Sequence, residues 1–156
     1  LKRAVKANQS HLLSKPVLVR PVLERILGAL HKVYRDWNVE VALEVPDSTV
    51  FYGEESDLME LTGNLLDNAF KYGKGKVRVT ARQQGKGLEL TIEDNGVGIT
   101  PDKRQWVLER GARADTVKSG QGIGLAVVVE LVSSYGGRIS IAQSSLGGAC
   151  FSIVIG

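Results

Sequence analysis

Three short clusters combine residue types and spacings that chemistry could use. Asn64 and Asn68 stand four positions apart, and Lys71 follows within a turn. On a helix this spacing stacks both amides on one face with the lysine near it. Asparagine is a poor helix former, so the pair is either a solvated polar face or two amide oxygens offered to a hard cation. Mg²⁺ takes oxygen ligands and is often shared among a few protein groups, waters and substrate phosphates. Neutral amides suit a site to which phosphates bring the negative charge.

The second cluster, Asp94-Asn95-Gly96-Val97-Gly98, directly follows a strand-like stretch. One reading is an ordinary Asp-Asn-Gly turn. The other is a corner that reads a base. A buried carboxylate at a strand end accepts a hydrogen bond from the exocyclic amine of adenine and repels the carbonyl of guanine, a difference of about 1–3 kcal/mol. Gly96 and Gly98 would let the backbone approach a flat ring. In the third cluster, Gly120-Gln121-Gly122-Ile123-Gly124-Leu125 opens a helix. Three alternating glycines form either a hinge or a set of bare N–H groups at a positive helix end, suited to phosphate. Gln121 would add an oxygen to a metal or a donor to phosphate. Arg110, Arg113 and Lys118 lie on the connection between these clusters, as surface charges or as groups that close over a triphosphate.

Other nucleotide and metal chemistries are excluded. Gly73-Lys74-Gly75-Lys76 lacks the spacing of a P-loop and its following Ser/Thr. Gly96-Val97-Gly98 meets Pro101 where a dinucleotide fingerprint needs glycine. The protein-kinase catalytic loop and the zinc-protease helix are absent. With only His11 and His31 there is no histidine-rich centre, and one cysteine allows no internal disulfide. Cys150 sits in an alternating apolar stretch and is expected to be a small core residue.

Hydrophobic periodicity supplies the elements that position these clusters. Residues 1–13 read as an amphipathic helix. Pro21 is expected to open a second helix that carries Val22, Ile26, Leu27, Leu30 and Val33 and ends near Asp36. Val39–Val45 alternates as a half-buried strand, and Thr49–Tyr52 is a shorter one. Glu55–Tyr72 is the strongest helix, with Leu58, Leu61, Leu65, Leu66 and Ala69 on its apolar face and Gly73 as its stop. Lys76–Arg82 and Leu88–Glu93 form a hairpin around Gly85-Lys86-Gly87. Asp94–Gln121 is a long connection with a short helix near Trp106, a length usually reserved for function. Gly122–Tyr135 is a helix burying Leu125, Val128, Val129 and Val132, and Arg138–Ala142 and Ala149–Ile155 are the closing strands. The expected fold is a two-layer α/β sandwich: one mixed, mostly antiparallel sheet with about three helices on one face.

The chain has 156 residues, 43% of them hydrophobic and 24% charged, the profile of one globular domain. Its longest apolar run, Ile123–Val129, is far below the roughly 20 residues that span a bilayer. Residues 1–36 hold 8 Lys/Arg and 2 Asp/Glu, and the rest hold 12 and 15, so the basic excess is confined to the N-terminal segment. A net charge of +3 gives no case for nucleic acid. The start at Leu1 is read as a cut within a longer protein.

Taken in order, the clusters resemble the boxes of the ATP-binding domain of sensor histidine kinases, in the superfamily with gyrase, Hsp90 and MutL. Asn64–Tyr72 is similar to the N box, Asp94–Gly98 to the G1 box, Gly120–Leu125 to the G2 box, and Gly147-Gly148-Ala149 with Phe151 to the G3 pattern. The resemblance covers residues 15–156. Trp106-Val107-Leu108 departs from the usual pair of phenylalanines, and Glu109–Asp115 with Ser119–Leu125 is nearest to PhoQ-type sensors.

The resemblance implies a Bergerat-type sandwich with a lid over 95–121. It implies that Asp94 reads adenine, with Gly96, Gly98 and Ile99 beside it, and that Asn64, Asn68 and Gln121 surround Mg²⁺. Lys71 and Tyr72 would reach phosphate or ribose, Arg113 and Lys118 the phosphates, and Gly122, Ile123, Gly124 and Leu125 would line the phosphate end. It further implies transfer of the γ-phosphoryl of ATP to a histidine on a separate dimeric helical domain, of which residues 1–14 would be the last helix and linker. Neither His11 nor His31 has the acidic residue that follows a family acceptor, so this chain would not phosphorylate itself and would be monomeric. The whole protein would be a homodimer in a bacterial inner membrane with this domain in the cytoplasm. Its partners would be its own acceptor helices and a response regulator. The alternatives are an ATPase of the superfamily, in which Asp67 would activate water, and a serine kinase of the anti-sigma type.

Overall fold

The computed structural model describes residues 16–110 and 123–156. The expected helix at 1–13 and the lid residues Arg113, Lys118, Gln121 and Gly122 lie outside them. The chain runs β1 (Pro16–Leu18), α1 (Val19–Val33), a 3₁₀ turn (Arg35–Trp37), β2 (Glu40–Glu44), β3 (Val50–Tyr52) and α2 (Glu55–Tyr72). It continues through β4 (Lys76–Gln84), β5 (Gly87–Asp94), α3 (Pro101–Arg110), α4 (Ile123–Ser134), β6 (Arg138–Gln143) and β7 (Ala149–Ile155). Five strands form one sheet in the order β2-β4-β5-β7-β6, while β1 and β3 pair separately. Only the β2–β4 pairing is parallel within the larger sheet. This is the expected mixed sandwich, with four α-helices among the described residues rather than about three.

The period of two decides which side of the sheet is covered. Val77, Val79, Leu88, Leu90, Ile92, Phe151, Ile153 and Ile155 are buried. The strand pairings bring them together, with Val79 opposite Ile92 and Ile92 opposite Phe151. Asp94, opposite Val77, shares that covered face. Their neighbours Arg78, Thr80, Glu89, Thr91, Ser152 and Val154 lie on the open face. Cys150 belongs to this second set: it is half-buried, with Sγ 3.9 Å from Ser152 Oγ, and not in the core as expected. Its phase in β7 is the reason, because Ala149 and Phe151 on either side point inward. The hairpin between β4 and β5 turns on Gly85, whose φ of 58° lies in the left-handed region open to glycine.

Helix α2 lies between α1 and α4 and buries Leu58, Leu61, Thr62, Leu65, Leu66, Ala69 and Phe70. Each fully buried aliphatic side chain contributes about 1.5–3 kcal/mol, so this helix is held firmly along its length. Helix α4 buries Leu125, Val128, Leu131 and Val132, with Val129 only half-buried. Helix α1 begins two residues before Pro21, which sits in the first turn, where backbone N–H groups lack intrahelical acceptors in any case. Strand β1 was not anticipated because three residues are too few to show an alternation.

The N-cap of α2, Glu54, makes no side-chain cap bond. Tyr135, just beyond α4, takes that place: its hydroxyl donates to Asp57 Oδ2 at 2.6 Å and accepts the Glu54 amide at 3.2 Å. Burial and the adjoining Asp57 carboxylate raise the ionisation of this phenol well above its ordinary value. Tyr135→Phe is expected to lower stability by about 1–2 kcal/mol, read as a shifted urea midpoint with an unchanged m-value.

Candidate functional site

Strand β5 ends on Asp94, which is 1% exposed. Its Oδ1 accepts the amides of Gly96 at 2.8 Å and Ala149 at 3.3 Å. Its carbonyl accepts the Gly148 amide at 3.1 Å. The carboxylate is therefore clasped by the turn that follows β5 and by the start of β7. Both approaches need glycine. A Cβ on Gly96 would land on the Tyr72 carbonyl, and one on Gly148 would land on Asp94 Oδ1 and lie 2.5 Å from the Gly96 nitrogen. Gly98 rests against the backbone of Gly148, and Gly73 would place a Cβ 3.2 Å from that of Asp94. Asp94, Gly96, Gly98, Gly148 and the C-terminal end of α2 at Tyr72 thus form one corner.

Asn95 braces this corner from behind. Its Oδ1 accepts the amides of Lys74 and Lys76 at 2.7 and 3.1 Å, and its Nδ2 donates to the Lys74 carbonyl at 3.3 Å. The Asp-Asn-Gly sequence is therefore both a turn and a clasp on the segment joining α2 to β4. Ile99 is half-buried against the core, and its carbonyl accepts Arg104 Nε at 3.0 Å. A small cleft beside it is lined by Val97, Gly98, Thr100, Arg104, Gln143 and Gly147.

Asn64 and Asn68 lie further back along α2, on the side of α4. Asn64 is eight residues before Tyr72, about 12 Å along the helix. Its Nδ2 donates to the Glu60 carbonyl at 2.7 Å, which turns Oδ1 toward the first turn of α4. A Cβ on Gly124 would lie 2.9 Å from that oxygen. The Asn68 amide nitrogen is buried and has no hydrogen-bond partner among the described residues. An unmet buried donor costs about 1–3 kcal/mol, and either end of an amide can be turned toward a ligand. Leu125, placed with this group by the resemblance, is buried in the core. Lys71 and Tyr72 are half-buried at the C-terminal end of α2.

Asp67 faces a different way. Its Oδ1 accepts the Tyr34 hydroxyl at 2.7 Å, from the end of α1. Burial, then that carboxylate, raises the ionisation of Tyr34 well above its ordinary value. Tyr34 also packs on Trp37 and Phe70. His31 lies edge-on to Phe70, and its Nε2 is 3.1 Å from the Val39 carbonyl.

One group was not anticipated. Glu93 points away from Asp94 onto the open face and is held by Arg78 and Ser144. Arg78 holds its carboxyl below the ordinary value of 4.5, with Ser144 helping and burial opposing. The two-residue turn sets Gln84 opposite Gly87 and hence Arg78 opposite Glu93, a pairing that the hairpin alone implies.

Residues 53–156 match the family model described as histidine kinase-, DNA gyrase B-, and HSP90-like ATPase. The virulence sensor histidine kinase PhoQ of Salmonella typhimurium is 41% identical over all of this chain, which spans about a third (32%) of that relative's length. Among solved structures, the mycobacterial sensor histidine kinase MprB is 31% identical with a TM-score of 0.77, covering 90% of this chain and 95% of its own. The ATP binding domain of PrrB from Mycobacterium tuberculosis is 29% identical with a TM-score of 0.71, covering 88% of this chain and 92% of its own.

Two outcomes follow from the packing around Asp94 and Glu93. Gly148→Ala is expected to destabilise by about 1–3 kcal/mol, visible as a lower melting temperature, because the new methyl meets backbone and a clasped carboxylate. Glu93, with its folded ionisation depressed, contributes stability that is present above its unfolded value and lost as pH falls below 4.5. Stability measured against pH should therefore fall less steeply on the acid side in Glu93→Gln than in wild type.

Proposed function

Because the chain belongs to the histidine kinase-, DNA gyrase B- and HSP90-like ATPase family, we propose that it is the ATP-binding catalytic domain of a PhoQ-like sensor histidine kinase. The observation that carries this reading is the clasped Asp94 at the Tyr72 end of α2, with Asn68 and Asn64 about 6 and 12 Å back along that helix from Tyr72. Adenine would enter the Asp94 corner. The Asp94 carboxylate would accept the exocyclic amine of adenine. Guanine would set a carbonyl against the same oxygens. Gly96 and Gly98 let the ring lie against backbone, and Tyr72 and Ile99 are near enough to border it.

The phosphates would then run along α2 toward Asn64, Asn68 and the start of α4. The first-turn amides of α4 and its dipole favour negative charge, and Lys71 would add a cation. The side-chain oxygens of the two asparagines also suit Mg²⁺. The Asn64 oxygen is already turned to that space, while the unmatched Asn68 nitrogen would donate to a phosphate oxygen, or would give place to its oxygen if the amide turned over. When bound there by Asn64 and Asn68, the ion would neutralise phosphate oxygens. Gln121 would join them, and Arg113, Lys118 and Gly122 would close over the phosphates.

The γ-phosphoryl would pass to a histidine outside this chain, on the kinase's own helical domain, and from there to a response regulator. Charge neutralisation and positioning would supply most of the catalysis. His31 is a poor acceptor, since its ring is packed on Phe70 and its Nε2 faces a carbonyl. The placement of Asp67 disfavours the ATPase reading, because its carboxylate is taken by Tyr34 toward α1. The domain would lie on the cytoplasmic side, where ATP is found, within a dimeric whole protein. No helix among the described residues is long and apolar enough to cross a membrane.

Calorimetric titration with a nonhydrolysable ATP analogue and with GTP, with and without Mg²⁺, tests the reading. Wild type should prefer ATP, and Asp94→Asn should weaken ATP binding at least about tenfold, 1.4 kcal/mol, while its circular dichroism stays native. A folded wild type that binds neither nucleotide would sink the proposal.

A further inference from the structure

Glu93 and Asp94 are consecutive strand residues, so their side chains leave opposite faces of the sheet. Asp94 enters the corner described above. Glu93, 8% exposed, is gripped on the open face. Arg78, directly opposite it, donates in a fork, Nε to Oε2 and Nη2 to Oε1, both at 2.9 Å. Ser144 Oγ donates to Oε1 at 2.8 Å and accepts the Leu146 amide at 2.9 Å. Arg78 Nη2 also reaches Ser145 Oγ at 2.8 Å. These bonds pin the first half of the turn between β6 and β7.

The second half of that turn is held by Asp94: its main-chain carbonyl accepts the Gly148 amide, and from the other face its Oδ1 accepts the amide of Ala149, the first residue of β7. The Ser144 amide, donating to the Gly148 carbonyl at 2.8 Å, joins the halves. Two adjacent strand residues thus hold this turn and the start of β7, Glu93 through its carboxylate and Asp94 through its main-chain carbonyl and its carboxylate. Gly148 already touches Asp94 so closely that no Cβ would fit. Any slip of the turn would therefore either crowd the Asp94 carboxylate or strip it of the Ala149 amide. A partly buried ion pair is weak as a source of stability, and register is its better-attested use.

We propose that Glu93, held by Arg78 and Ser144, is a positioning residue that sets Gly148 against Asp94 and thereby tunes the adenine preference of the corner. This rests on the nucleotide reading above. The role is exerted through the turn, since Glu93 itself faces away from the corner.

The test uses the 156-residue chain with Ser144→Ala and Ser144→Thr. ATP-analogue and GTP affinities are measured by calorimetry, and amide hydrogen exchange is followed by NMR. Ser144→Ala should bind the ATP analogue about five- to tenfold more weakly, the size of one ordinary hydrogen bond, with GTP binding little changed. The Gly148 and Ala149 amides should exchange faster while those in the middle of β5 do not. Ser144→Thr, which keeps the hydroxyl, should restore both readouts. Arg78→Lys keeps the charge but loses the fork, carries the same expectation, and replaces Ser144→Ala should that variant fail to fold. An unchanged ATP-to-GTP ratio with unchanged exchange at Gly148 and Ala149 overturns the proposal while a wild-type preference for ATP leaves the nucleotide reading standing. Equal weakening of both nucleotides with faster exchange throughout the sheet also overturns it, as the mark of a merely structural pair. A wild type with no ATP preference overturns both.

Discussion

Asp94 is nearly removed from solvent, and the amides that satisfy it come from two separate segments, Gly96 after β5 and Ala149 at the start of β7. A buried carboxylate without such partners would be costly, so both segments must come within hydrogen-bond reach. That requirement propagates. Gly96 can approach only because it lacks a side chain beside the Tyr72 carbonyl, and Gly148 only because it lacks one beside the carboxylate. The end of α2, the end of β5 and the β6–β7 turn are thereby fixed relative to one another.

The rest of the domain keeps that junction rigid and places the second half of the site. Helix α2 is buried along one face from Leu58 to Phe70 and flanked by α1 and α4. It acts as a ruler, with Tyr72 at the Asp94 corner and Asn64 facing the first turn of α4. Tyr135 closes the far end by standing in for a missing cap. At the end of α1, the Tyr34 hydroxyl draws Asp67 out of line with the asparagines that flank it in sequence. One helix therefore presents amides toward α4 and a carboxylate toward α1.

Much of this was legible beforehand. The bounds of α2, the hairpin at Gly85 and the two closing strands follow from periodicity and turn chemistry, which are local. The chemistry-bearing residues Asn64, Asn68, Asp94, Gly96 and Gly98 stood out by type and spacing alone. What escaped was short or non-local. Strand β1 is too brief to alternate visibly, and an apolar stretch does not announce its phase, which in β7 puts Cys150 on the open face rather than in the core. The Arg78–Glu93 pairing could have been read from the two-residue turn, but the role of Ser144 could not, since it lies 51 positions away from Glu93.

By itself, the sequence determined the layering and the inventory. A period of two and a period of 3.6 oblige these segments to bury one face each, and Gly, Asn and Asp at given positions permit close approach or offer oxygens. Tertiary structure decided which of those possibilities became contacts. Only the folded sheet sets Ala149 on Asp94, Gly124 beside Asn64 and Tyr34 on Asp67. The physical reason is that a hydrogen bond or a close backbone approach depends on ångström-scale distances between segments remote in the chain, and local propensity carries no such information.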